Sequence, residues 1–410
     1  MPKKYLNFSN IFILGVASGL PLALVFSTLS IWLKELGISK TAIGLFAFTS
    51  TPYTLKFLWS PLIDGLKIPY LTNKLGKRRS WLFVTQLFLF LSLFLLSISS
   101  PDRALLFTAL MTLTVSFCSA TQDIVIDAYR IEVLKEDEQG LGATLIVYGY
   151  RVGMLISSAG ALVLAEYLGF VVSYQVMAAL FLIFAFFTLF ISRPDDEKDL
   201  DYKNYNIWLK QYVFDPFKDF IKRKDYLWII AFIIFYKFGD AFAGVMTGPF
   251  LIELGFAKTE IAFFVKTIGL FATLAGSLCG ALLCKYCSFR KSLLIAGILQ
   301  LLTNLVFCLQ AYVGKSNILL GFTIASENLA GGIGTIVFVA YISSLCNINF
   351  TATQYALLSS LSAVARTWLS TSSGFIADQV NWIEFFAFSA LLAVPGLVFI
   401  FFIKESKQKV

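Results

Sequence analysis

Residues 35–43 read ELGISKTAI, and residues 253–261 read ELGFAKTEI. The two stretches lie 218 positions apart in a chain of 410. Gln139 and Arg151 return in the same way, as Gln354 and Arg366 at an offset of 215. A sequence that repeats itself once over half its length reads as two copies of one ancestral bundle. Whatever the first half builds, the second half is expected to build again.

The building material is apolar. Hydrophobic residues make up 58% of the chain and charged residues only 14%, against about 25% charged in an ordinary soluble domain. About 20 helical residues cross a hydrocarbon core. Twelve apolar segments of that kind can be read, at 11–33, 42–62, 80–99, 104–126, 140–166, 171–192, 226–251, 259–283, 292–313, 318–345, 353–377 and 382–403. The first follows Lys3 and Lys4 as the core of a signal peptide would. It shows no small-residue cleavage site before Trp32, however, and reads as an uncleaved span. With the N-terminus inside, 23 of the 33 Lys and Arg fall on inward segments and five on outward loops. That bias marks the cytoplasmic side and places both termini there. The expected fold is an all-α membrane protein with twelve transmembrane helices in two pseudo-symmetric six-helix bundles. The bundles cover residues 1–192 and 226–410, joined by a cytoplasmic loop over 193–225. The piece IWLKQYVFDPFKDFI (207–221) in that loop is suited either to the inner membrane surface or to a plain tether.

Composition also removes chemistry. There is no His, so the usual metal ligand and neutral-pH proton carrier are missing and proton chemistry must rest on carboxylates. The six Cys are scattered. Cys284 and Cys287 form one CxxC without the second pair or βαβ context that a zinc or redox site needs, and are read as packing. No metal and no cofactor are expected, only a proton gradient as energy source. No nucleophile–base constellation appears, which disfavours a membrane enzyme, and the 193–225 loop is too short for a sensor's output domain. The net charge of +8 follows from topology and calls for no nucleic acid. The expected partners are the lipid bilayer and a small anionic solute, with the chain acting as a monomer.

Against this background FCSATQDIVIDAYRI (117–131) is out of place. Ser116, Ser119, Asp123, Asp127 and Arg130 are spaced by threes and fours, along one side of a helix. Eight ionisable residues fall within spans: Lys56, Asp123, Arg151, Lys237, Asp240, Lys266, Glu327 and Arg366. Asp, Lys or Arg costs about 2.5–3.5 kcal/mol at a helix centre, so these residues are expected to face one another or a watery cavity. Five are cations and three are anions, a balance that suits an anionic cargo, and guanidinium forks match carboxylates or phosphates.

Arg151, Arg366, Lys266 and Lys56 are therefore the expected cargo cations, with Gln122, Asn328 and Tyr53 as further cavity residues. Asp123, Asp240 or Glu327 is expected to take up a coupling proton. Asp127 and Arg130 are expected to pair with each other, as gate or structural residues. Lys237 lies three residues before Asp240 and either neutralises it across one turn or serves the pathway. Asp64, ahead of the basic cluster Lys77, Arg78 and Arg79, reads as part of a latch or beside simple positive-inside charge. The glycines of GVASGLP (15–21) and ENLAGGIGT (327–335) are read as close-packing positions.

Seven segments also carry a resemblance: ASGLPLAL (17–24), KFLWSPL (56–62), FCSATQDIVIDAYR (117–130), GYRVGM (149–154), YKFGDAFA (236–243), ENLAGGIGT (327–335) and TQYALLSSLSAVAR (353–366). Together they resemble the AmpG-type muropeptide permease branch of the major facilitator superfamily. The resemblance implies two bundles rocking about a central cargo site. It also implies proton-driven import of N-acetylglucosaminyl-anhydro-N-acetylmuramyl peptides across the bacterial inner membrane for peptidoglycan recycling. In the superfamily a carboxylate and basic residues after the second span latch the cytoplasmic side; here a longer stretch separates Asp64 from Gly76. Some members carry further C-terminal helices, whereas this chain stops soon after its twelfth span. The branch also resembles acetyl-coenzyme A transporters, so that cargo is the alternative, since family membership does not fix cargo.

Overall fold

The computed structural model describes residues 3–38, 42, 46–194, 214–257, 260–261, 263–370 and 372–403. Residues 39–41 and 43 of the repeated motif, 258–259 of its second copy, and 207–213 of the amphipathic piece lie outside them. The regular secondary structure among the described residues is helical. The principal helices are α1 (Lys3–Ala23), α2 (Lys77–Ser97), α3 (Leu105–Val133), α4 (Gln139–Leu155), α5 (Ala161–Thr188), α6 (Tyr226–Phe235), α7 (Phe238–Glu253), α8 (Gly269–Tyr286), α9 (Phe289–Val313), α10 (Asn317–Ser344), α11 (Thr351–Ser370) and α12 (Trp382–Phe399).

Nine helical runs among the described residues are long and apolar enough to cross a membrane. One of them, Glu136–Thr188, holds two of the expected spans. They meet at Gly169, whose φ of 80° breaks the helix, a conformation glycine adopts without steric cost. Two expected spans are built differently. The segment 42–62 is not one helix but a chain of short 3-10 and α pieces over Phe46–Gly65. Pro52 and Pro61 sit in the first turns of two of these pieces, where a missing N–H costs nothing but a continuous helix cannot pass. The segment 353–377 is divided between α11 and the short helix Ser372–Ala377.

Pro21 shapes α1 in the same way. It cannot donate to the Ala17 carbonyl one turn back, and that carbonyl instead accepts Gln122 Nε2 at 3.1 Å. Just beyond, the helix widens into a π turn at Leu24–Thr28, a common cause of bending. A second π turn, Ile156–Gly160, follows α4, and Thr28 Oγ1 donates to the Ser157 carbonyl at 2.8 Å.

The chain forms two compact units. The first comprises Met1–Lys135, Leu145–Phe217 and Cys346–Leu357, and the second Glu136–Thr144, Lys218–Leu345 and Leu358–Val410. The opening turns of α4 and α11 thus belong to the unit that does not hold the rest of each helix.

The first unit is sewn along a glycine seam between α1 and α4. A Cβ at Gly19 would lie 2.0 Å from the Tyr150 carbonyl oxygen, at Gly149 2.1 Å from that of Phe12, and at Gly153 2.2 Å from that of Val16. In the second unit a Cβ at Gly276 would lie 2.1 Å from the Leu329 carbonyl oxygen and one at Gly332 2.5 Å from that of Thr273, so α8 and α10 approach as closely. Of the three glycines in ENLAGGIGT, Gly332 and Gly334 are close-packed, but Gly331 has nothing within 4 Å.

Each half also caps its last helix with an arginine. Arg79 donates to the Thr188 carbonyl at 3.3 Å and to that of Leu189 at the end of α5. Arg290 donates to the Phe401 carbonyl at 3.0 Å beyond α12. Cations are favoured at helix C-termini, where carbonyls lack partners.

Gly19→Ala and Gly153→Ala should each lower the melting temperature in detergent, since forcing a methyl into a filled site costs about 1–3 kcal/mol or more. Gly244→Ala, with nothing within 4 Å of the new Cβ, should leave it unchanged or raise it. Scanning fluorimetry of the three purified variants separates these outcomes.

Candidate functional site

In the first unit the polar side of α3 faces α1 and the broken segment Phe46–Gly65. Ser18 Oγ donates to Asp123 Oδ1 at 2.6 Å. Lys56 Nζ lies 3.8 Å from Asp127 Oδ2 and within electrostatic reach of Asp123. One cation therefore serves two carboxylates a helical turn apart. Tyr53 lies beside Asp123, and Trp59 closes one side, its Nε1 donating to Thr121 Oγ1 at 3.0 Å and its ring 4.7 Å from that of Phe117.

Other expected residues sit differently. Gln122 is fully buried and occupied with the Ala17 carbonyl that Pro21 releases. Arg130 is buried, with its guanidinium 5.5 Å over the Tyr355 ring, while Asp127 meets Lys56. Arg151 is exposed on the side of α4 opposite Gly149 and Gly153, and makes no hydrogen bond or ion pair among the described residues.

At the far end of α3 lies a charge cluster. Arg78, 1% exposed, is buried between two carboxylates: its Nη2 is 2.7 Å from Asp64 Oδ1 and 2.5 Å from Glu132 Oε1. Asp64 has a second task. It accepts the backbone N–H of Thr353 at 2.7 Å and of Ala352 at 3.3 Å, and the Thr353 hydroxyl at 2.8 Å. Phe350, directly before α11, has no side-chain acceptor to cap the helix, so Asp64 satisfies its first N–H groups from another part of the chain. Thr351 Oγ1 donates to Glu132 and accepts from Arg78 at 3.1 Å. The Lys77–Arg79 cluster is thus more than positive-inside charge: Arg78 is a buried structural cation and Arg79 a helix cap.

In the second unit Lys237 occupies the break between α6 and α7 and donates to Thr335 Oγ1 of α10 at 2.6 Å. Asp240, one turn on, is within electrostatic reach of Lys237 and Glu327. Glu327 Oε2 accepts from Asn328 Nδ2 at 3.0 Å, and Asn328 Oδ1 accepts from Thr273 Oγ1 at 3.1 Å. Lys266 lies on the π turn Phe263–Ile268 and Arg366 on α11; their side chains fall outside the described residues. Among the described residues no group of three or more Cys, Asp or Glu could hold a metal ion.

Sequence reasoning missed Glu132, Thr351 and Thr353 as partners of Asp64 and Arg78. It missed Ser18 as a partner of Asp123 as well. Glu132 lies beyond the expected span 104–126 and off the three-and-four spacing of Asp123, Asp127 and Arg130, but the helix continues to Val133 and carries it.

Residues 11–368 match the Major Facilitator Superfamily. The chain belongs to that superfamily. It is a multi-pass membrane transporter, not an enzyme. It is 40% identical to "Putative transporter AmpG 4" of Rickettsia felis over 98% of this chain and 97% of that protein. It is also 40% identical to "Anhydromuropeptide permease" of Escherichia coli K12, over 97% of this chain and 79% of that one. Among solved structures, the proton:xylose symporter XylE aligns with a TM-score of 0.72 at 11% identity, covering 98% of this chain and 96% of that one. The transporter FucP aligns with a TM-score of 0.70 at 13% identity, covering 99% of each. At such identities these two attest to the fold alone.

Removing Arg78 would leave Asp64 and Glu132 buried with less compensation, which typically costs 3–5 kcal/mol. Arg78→Gln should therefore destabilise strongly. Arg78→Gln/Glu132→Gln should cost less than the two single changes added together, because removing one carboxylate relieves the other. Thermal unfolding of the four proteins in the cycle measures the coupling, which additive losses would exclude.

Proposed function

We propose that this chain is a proton-coupled importer of anionic cell-wall fragments, N-acetylglucosaminyl-anhydro-N-acetylmuramyl peptides, in the bacterial inner membrane, with both termini cytoplasmic. The observation that carries the cargo is the near-full-length 40% identity to the E. coli anhydromuropeptide permease. The embedded charges supply the means. Such fragments carry peptide carboxylates, and Arg151 offers a guanidinium that no described residue occupies. Arg366 and Lys266 add positive charge in the second half.

Asp123 is the proton carrier in this reading. Ionised, it holds the Ser18 hydroxyl and shares Lys56 with Asp127. A proton on Asp123 removes one of the two anions, so Lys56 turns to Asp127 or to an incoming carboxylate. Loading thereby changes which arrangement of charges is favoured, as coupling requires. Asp240 and Glu327 form a second carboxylate pair able to take up a proton. The Asp64–Arg78–Glu132 cluster acts as a gate, because it grips the opening turns of α11, the helix that carries Arg366. The chain works as a monomer on this account and needs no cofactor.

Proteoliposomes with an imposed proton gradient should accumulate a labelled anhydro-muropeptide. Unlabelled fragment should compete and acetyl-coenzyme A should not. Arg366→Gln should reduce uptake at least tenfold without loss of folded protein. Acetyl-coenzyme A uptake in place of the fragment would reassign the cargo, and normal transport by Arg366→Gln would remove that residue from the site.

A further inference from the structure

We propose that Lys218, Lys222 and Lys224 form a docking shelf for the phosphate headgroups of anionic phospholipids, at the membrane border where α6 begins. The shelf is built on a tethered base. Helix Asp215–Ile221 turns Phe220 inward, at 3% exposure. Arg223 is held by three contacts: its Nη2 donates to the Leu345 carbonyl at 2.6 Å, lies 3.9 Å from Asp219, and its guanidinium sits 5.6 Å over the Phe220 ring. Leu345 ends α10, a helix C-terminus that favours a cation.

The three lysines have no such work. Each is exposed, and its side chain makes no hydrogen bond or ion pair among the described residues. They are nevertheless presented by ordered backbone. Lys222 N–H donates to the Lys218 carbonyl at 3.0 Å, Arg223 N–H to that of Phe220 at 3.2 Å, and Tyr226 N–H to that of Arg223 at 3.2 Å.

The occupant follows from what lies beside them. α6 starts at Tyr226 and at once turns Leu227 and Trp228 outward, 62% and 41% exposed. Trp228 stacks on Phe402 at 4.6 Å. An exposed apolar wall on a spanning helix faces hydrocarbon, and aromatic rings at its end mark the headgroup level. Ile221, 53% exposed, lies between the lysines and that wall. Cations within a few residues of the headgroups attract anionic lipid, at about fivefold in affinity for each lysine. An acidic soluble protein would match the charges but would leave Ile221 and Leu227 without a partner.

The test is native mass spectrometry of the full-length protein extracted from bilayers containing phosphatidylglycerol and phosphatidylcholine. Wild type should retain phosphatidylglycerol in preference, less so as salt rises. The triple variant Lys218→Gln/Lys222→Gln/Lys224→Gln should lose at least tenfold of that retention. The triple Lys→Arg variant should keep it. Equal retention by a monodisperse triple Gln variant would overturn the proposal. So would equal retention of the zwitterionic lipid, or wild-type retention indifferent to salt, a measurement that needs no variant.

Discussion

A polar group inside hydrocarbon must find its partner within the chain, because water is not there to supply one. Much of this protein follows from that constraint. Pro21 frees a carbonyl, and Gln122 of another helix is buried to meet it. The first N–H groups of α11 have no cap of their own, so Asp64 provides one from a distant segment. Asp64 then needs a cation, Arg78, and Arg78 is shared with Glu132. Each solution creates the next requirement. The chain of requirements ends in a cluster that fixes where α11 begins.

The charged residues differ in how far other protein groups satisfy them. Arg78 and Arg130 are buried and engaged with protein groups. Arg151 is exposed without a described partner, on an element whose other side is locked to α1 by glycines. In the proposed mechanism this is the cation left for the solute. Asp123 is intermediate, held by one hydroxyl and by a lysine it shares with Asp127.

The fold was legible from the repeat and the hydropathy, because period and length leave few alternatives for so apolar a chain. Breaks were less legible. Pro52 and Pro61 lie in plain view, but whether a proline opens a new helical piece or kinks a continuous one depends on what packs around it. The embedded charges were visible as a set, since residues such as Asp123 and Arg151 stand out in greasy segments. Their pairing was not. Lys56 meeting Asp127, or Asp64 capping α11 nearly 290 positions away, depends on three-dimensional approach that no local spacing encodes. Asp64 and Gly76 are farther apart than in the superfamily's usual pattern, yet Arg78 still reaches Asp64. The extra residues Leu66–Leu75 fold into a turn and a short helix, which brings the loop back.

The proposed coupling depends most heavily on Asp123, the group that would tie cargo movement to a proton. The direct measurement is the pH change outside proteoliposomes when anhydro-muropeptide is added without any imposed gradient. Wild-type protein should alkalinise the outside as cargo and protons enter together. Asp123→Asn should still exchange labelled cargo for unlabelled cargo, but without a pH change. An undiminished pH change in Asp123→Asn would place the coupling proton elsewhere and contradict the account.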